Sequence, residues 1–190
     1  MSASGHNWVP NRAAPRRRRP RPTALVLGIG NSLLGDDGIG GAALARLERE
    51  RLPARAELRD AGTSMIDLVS TLDRYERVIL IAAVKILGCT RGSVVEFDLD
   101  AATGGGSAVP TQGFELGGLV ALAAALAIEL PPVHVIGFVP VSIKLGSGLS
   151  PQATTALDDI VARVLRCVHE VPGRRTAASA ARPATPRPPG

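Results

Sequence analysis

Three apolar runs, Ala24 to Ile29, Arg77 to Ala83 and Val133 to Phe138, constrain the fold of this chain more than any other feature. In the second, Val78, Ile79, Leu80 and Ile81 follow one another without a polar residue, the pattern of a strand covered on both faces. Helical patterns separate the runs. Gly38 to Glu50 puts Ile39, Ala42, Ala43 and Leu47 on one stripe and closes before Pro53, and Thr63 caps a second helix through Leu72. Phe114 to Glu129 is rich in Ala and Leu and ends at Pro131; Ser150, with Pro151 at the first helical position, opens a last helix to about His169. Ala56 to Asp60 and Ser93 to Phe97 read as shorter strands, and Ala102 to Gly113 as a loop of small residues. This alternation predicts an α/β fold, a three-layer αβα sandwich around a mostly parallel, twisted sheet.

In such sheets ligands bind beyond the carboxyl ends of the strands. Asp36 and Asp37 after the first strand, Asp60 to Thr63 after the second and Ala82 to Lys85 after the third all belong to that edge. The first of these turns is the most pointed: Gly28-Ile29-Gly30-Asn31-Ser32-Leu33-Leu34-Gly35-Asp36-Asp37-Gly38-Ile39-Gly40 sets two adjacent carboxylates between a strand and a helix. A helix N-terminus favours negative charge, so capping accounts for one aspartate. A dinucleotide site does not fit, because the spacing is not G-x-G-x-x-G and two carboxylates repel a phosphate. Carboxylates there suit a cation or a positively charged group on a partner.

The 190 residues carry a formal charge of +5, which points to nucleic acid until it is located. Six arginines precede Thr23 and four follow Pro172, with no acidic residue in either end, so of 22 basic residues 12 remain against 17 acidic ones and the body is at about −5. The ends, rich in Pro, Ala and Arg, bury too little to offset the entropy of ordering, and 1–22 and 173–190 read as disordered tails around one domain at 23–172. The run Arg16 to Arg19 suits an anionic partner or a solvated tail, and the acidic body is not expected to bind nucleic acid. The run after it is too short for an export signal, and Gly117 to Leu130 stops short of the roughly 20 apolar residues of a membrane span and carries Glu129, so a cytoplasmic protein is expected. Cys89, in a loop, and Cys167, in the last helix, have neither disulfide nor metal spacing.

Together these segments resemble the hydrogenase maturation endopeptidases, which trim a C-terminal extension from the nickel-loaded large subunit of [NiFe] hydrogenases. The resemblance runs from Ala24 to Val168. It rests on Leu27-Gly28-Ile29-Gly30-Asn31 with Leu34-Gly35-Asp36-Asp37-Gly38-Ile39-Gly40, on Asp60-Ala61-Gly62-Thr63, on Val84-Lys85 after the third strand, and on Gly137-Phe138-Val139-Pro140 with Leu149-Ser150-Pro151. It implies a phosphorylase/hydrolase-like sandwich and an endopeptidase whose partner is a [NiFe] hydrogenase large-subunit precursor. It also implies catalytic roles for Asp37 and Asp36 and substrate contacts from Asn31, Asp60, Thr63 and Glu115.

Three side chains of that family are associated with a metal. The first falls on Asp37, but the second falls on Ala82, where the family reads Asp, and the third on Phe114, where it reads His. Asp36, Asp60 and Glu115 are substitute carboxylates, and His134, between Val133 and Val135, is either a more distant donor or a packed, edge-facing histidine. No tightly bound cofactor is expected, nickel being met through the substrate. The alternative is a pseudopeptidase that binds the subunit as a chaperone or checkpoint, and a weaker third reading is a turn that binds another cation or small molecule.

Overall fold

Successive residues of the central strands point into two different cores, as their unbroken apolar character requires. The computed structural model describes residues 23–62, 66–99, 108–110 and 116–170, so both expected tails lie outside the described residues. Strands β1 (Ala24–Ile29), β2 (Ala56–Gly62), β3 (Arg77–Ile86) and β6 (Val133–Phe138) are parallel neighbours in the order β2-β1-β3-β6, and β4 (Val94–Leu99) closes the far edge antiparallel to β6. On one face Leu25, Leu27, Leu80, Val84 and Val135 pack with Val69 and Leu72 of α2 (Ile66–Leu72) and Ala123 of α3 (Leu116–Ala125). On the other, Val26, Ile79, Ile81, Ile136 and Phe138 pack beneath α1 (Ile39–Leu47) and α4 (Pro151–Glu170). Helix, sheet and helix are thus the three layers of the sandwich. Among the described residues no helix is long and apolar enough to cross a membrane.

Boundaries differ from the sequence reading at several places, β2 for one running on from Asp60 to Gly62. The first helix begins at Ile39 rather than Gly38, because Gly35–Gly38 is wound as a tighter 3-10 turn, and it ends at Leu47. Strand β3 runs past Ala83 to Ile86 because the small-residue stretch, expected to be loop throughout, supplies β5 (Ala108–Pro110), which pairs antiparallel with Val84, Lys85 and Ile86. Strand β4 is shifted by one to two residues to Val94–Leu99, in register with the whole of β6. Helix α3 stops at Ala125 instead of running to Glu129.

The end of α3 is a backbone device that hydropathy does not reveal. Ala127 adopts φ +53°, its N–H bonds the Ala124 carbonyl, and Ile128 N–H reaches back to the Ala123 carbonyl at 2.9 Å. This pair of bonds is a Schellman closure, in which glycine is the usual left-handed residue. Alanine there carries a Cβ–carbonyl conflict that glycine lacks. Ala127→Gly is therefore expected to raise the unfolding free energy by about 0.5–1 kcal/mol, read as a rise in the urea midpoint at unchanged slope.

Candidate functional site

The turn after β1 is folded back on itself so tightly that its glycines are obligatory. Register between β1 and β2 shifts at Gly28/Ile29, and Gly30 follows at φ +136°. A Cβ on Gly30 would overlap the carbonyl oxygen of Asp37. One on Gly40 would meet the Ile29 backbone and the Ile81 carbonyl, so α1 starts in direct contact with the ends of β1 and β3. Both carboxylates are thereby carried on a short helical turn pressed against the carboxyl edge of the sheet.

Asp36 and Asp37 are both buried, and their surroundings assign them different work. Asp36 does not spend its carboxylate on its own turn. Its Oδ2 accepts the N–H groups of Val141 (2.8 Å) and Ser142 (3.1 Å) and the Ser150 hydroxyl (3.0 Å), while Oδ1 accepts Ser150 N–H at 2.6 Å. Asp36 N–H in turn donates to the Ser142 carbonyl. Ser150 Oγ also accepts Ala153 N–H and so caps α4. One carboxylate thus ties the first turn to the loop after β6 and to the start of the last helix. The capping role anticipated for one aspartate is not what Asp36 performs: neither the 3-10 turn nor α1 shows a side-chain cap at its N-cap residue, and the residue that caps α4 is Ser150, which Asp36 holds in place.

Asp37 is only 3% exposed, and its Oδ2 accepts Asn31 N–H at 2.8 Å. Asn31 Oδ1 accepts Leu33 N–H, which stiffens the turn. Asn31 and Asp60 line a cavity of about 260 Å³ together with Ser32 and Gly62, so the structure brings these two predicted residues to one place. Asp60 Oδ1 also accepts Gly62 N–H and shapes the exit from β2. Thr63, Phe114 and Glu115 lie outside the described residues.

Ala82 sits in the middle of β3, near the end of its pairing with β6 and level with Gly137, and is 2% exposed within the core. The donor set does not fit a resident transition-metal ion: Asp36 is committed to the loop, Ala82 has no lone pair, and position 114 is Phe. A single carboxylate holds such an ion poorly.

His134 does not join this edge. It lies near the start of β6, opposite Asp98, with Nδ1 2.8 Å from Asp98 Oδ1. Its ring, Glu96 and Cys167 offer ligand atoms within 4.8 Å of one another, the one such grouping among the described residues. Glu96 is held there by Arg163 (3.1 Å) and Arg166 (3.3 Å), so the cluster is an ion-pair network that fastens α4 to β4. The histidine is partly buried on a strand inside the sheet and is paired with Asp98.

Sequence reasoning missed two features of the site. Ser142 carries no local signal, and Ser150, legible only as the start of the last helix, gives no sign that it will meet Asp36, since that contact arises from the approach of distant loops. A larger cavity of about 600 Å³ also opens on the same edge, between the chain after β3 and the chain after β6. It is lined by Lys85, Cys89, Arg91, Val139, Val141 and Ile143 among others. Val141 and Ser142, whose amides Asp36 holds, are among its lining residues.

Known proteins share both the sequence and this architecture. Residues 43–167 match the family model described as hydrogenase maturation protease. The chain is 32% identical over 148 residues to the hydrogenase expression/formation protein HupD of Rhodobacter capsulatus, across 75% of this chain and 69% of that protein. Among solved structures, the hydrogenase maturating endopeptidase HybD of E. coli superimposes with a TM-score of 0.66 at 25% identity, over 77% of this chain and 92% of its own. A hydrogenase 2 maturation peptidase from a Thaumarchaeota archaeon gives 0.58 at 27% identity, over 78% and 98%. The chain belongs to the hydrogenase maturation protease family.

Proposed function

We propose that this protein removes the C-terminal extension of a [NiFe] hydrogenase large-subunit precursor in the cytoplasm, meeting nickel only as part of that substrate. The observation that carries the reading is the division of labour between the paired aspartates. Asp36 is consumed in fixing the loop, and Asp37, whose Oδ2 accepts the N–H of the cavity-lining Asn31, is the carboxylate of the turn to which this reading assigns the chemistry. Hydrolysis adds hydroxyl to the scissile carbonyl carbon and a proton to the departing amine. In this scheme Asp37 takes the proton from the attacking water and returns it to the leaving nitrogen. Asn31 holds the Asp37 carboxylate in place through its N–H, and Asn31, Asp60 and the Thr63 and Glu115 positions provide substrate contacts.

The test is intact mass spectrometry of the nickel-loaded cognate precursor before and after incubation. Loss of one defined C-terminal peptide is the expected result. An unchanged mass, with an active relative trimming the same sample, overturns it.

A second reading is favoured by one observation, the methyl group of Ala82 on β3 at the position where the family carries a ligand. In that reading the protein retains the precursor as a binding chaperone or checkpoint, and a pull-down captures it at full length.

A further inference from the structure

The 600 Å³ cavity is not explained by Asp37 or by the fold, and its walls have an uncommon composition. Its floor is apolar, built from Ile86, Val139, Pro140, Val141 and Ile143, and its rim carries two cations, Lys85 and Arg91, with no acidic residue among the lining side chains. Among the described residues neither cation is in an ion pair. The body of the protein is acidic, so an unneutralised cationic pair beside apolar surface stands out against its surroundings.

The loops of this sheet edge are also greasy, Leu87 among the cavity's own lining residues. Leu33, Leu87 and Leu145 are 63%, 92% and 78% exposed, three of the four large apolar side chains left in solvent among the described residues. All three sit on carboxyl-edge loops, and Gly146 N–H bonds the Leu33 carbonyl, which joins the first turn to the loop after β6. Single exposed leucines need no explanation, but a group on one edge marks an interaction surface.

We infer that this cavity receives the C-terminal end of a peptide, apolar side chains on its floor and the terminal carboxylate between Lys85 and Arg91. The inference rests on the proposed function and deepens it, the occupant being the extension to be removed. Charge selects this occupant: a chain terminus is the carboxylate that every protein substrate presents once, beside whatever apolar residues precede it. Placement agrees, because the lining residues Val141 and Ser142 donate their amides to Asp36, the residue next to Asp37 in the chain. A peptide whose tail fills the cavity therefore leads back toward Asp37, and the loop that Asp36 fixes is the wall it lies against.

The cavity contains its own reporter. Cys89 lines it and is exposed, whereas Cys167 is buried, with its thiol pushed up by desolvation and by Glu96 and Glu170 nearby. Iodoacetamide should therefore modify Cys89 selectively, as followed by intact mass. The probes are an N-acetylated apolar heptapeptide with a free C-terminal carboxylate and the same peptide as its C-terminal amide.

The free acid is expected to protect Cys89 about fivefold better than the amide, and the double variant Lys85→Ala/Arg91→Ala to erase that difference. Equal protection by acid and amide, or none by either, overturns the inference. The same double variant should slow trimming of the full precursor. Undiminished trimming also counts against the cavity while leaving the proposed function intact. Failure of the wild type to trim removes the proposed function, and carboxylate-dependent protection of Cys89 would still establish a peptide-end site.

Discussion

Asp36→Ala is expected to lower the unfolding free energy by about 3–5 kcal/mol, the largest stability effect in the carboxyl-edge loops. The carboxylate is fully buried and accepts four hydrogen bonds, three from backbone N–H groups of Val141, Ser142 and Ser150 and one from the Ser150 hydroxyl. Truncation leaves those donors without their acceptor, and an unsatisfied buried donor costs about 1–3 kcal/mol. For a chain of this size the loss corresponds to a fall in Tm of roughly 10 °C.

Asp36→Asn should recover little of it. Both oxygens of Asp36 face donors, and an amide has only one oxygen, so its NH₂ must be set against a backbone N–H. Ser150→Ala removes one hydroxyl bond and the α4 cap, and should cost about 1–2 kcal/mol. Thermal melts of the three variants, ordered Asp36→Ala, Asp36→Asn, Ser150→Ala from most to least destabilised, check the assignment. Equal melting temperatures for wild type and Asp36→Ala would show that the tether carries no weight.

That tether also shows where the sequence is legible and where it is not. Val78 to Ile81 announces a doubly covered strand because burial on both faces demands apolar residues in succession, and this property is local. The same holds for the strand–turn–helix around Gly30, where close approach leaves no room for a side chain. From these runs the sandwich, its parallel core and the edge that carries Asp36 and Asp37 can be read directly.

What cannot be read is set by contacts between distant segments. Nothing local says that Asp36 will meet residues 141–150 while Asp37 meets Asn31, so the two aspartates look alike until the fold separates them. His134 is a similar case: its sequence neighbours are silent about Asp98, which reaches it only through the antiparallel register of β4 and β6. The end of α3 at a left-handed Ala127 is invisible for another reason, since the residue type that normally signals such a closure is absent.

Asp37→Asn is expected to reduce precursor trimming by at least about 100-fold, the scale of a lost general base, with stability close to wild type. Asparagine matches aspartate in shape and keeps an oxygen for Asn31 N–H, so the turn can close as before. What it loses is the negative charge and the ability to hold a proton taken from water. The two neighbouring substitutions therefore give opposite signatures: Asp36→Asn damages stability first and activity in consequence, Asp37→Asn damages activity with the fold preserved.

Intact mass of the nickel-loaded precursor measures the second, and a thermal melt of the same sample confirms folding. Full-rate trimming by Asp37→Asn would remove this carboxylate from the mechanism. It would return the chemistry to groups the substrate itself brings to the edge, since Ala82 has nothing to offer in its place. Capture of untrimmed precursor by wild type and variant alike would instead select the binding-only reading, in which the turn keeps its geometry and the buried charge serves recognition.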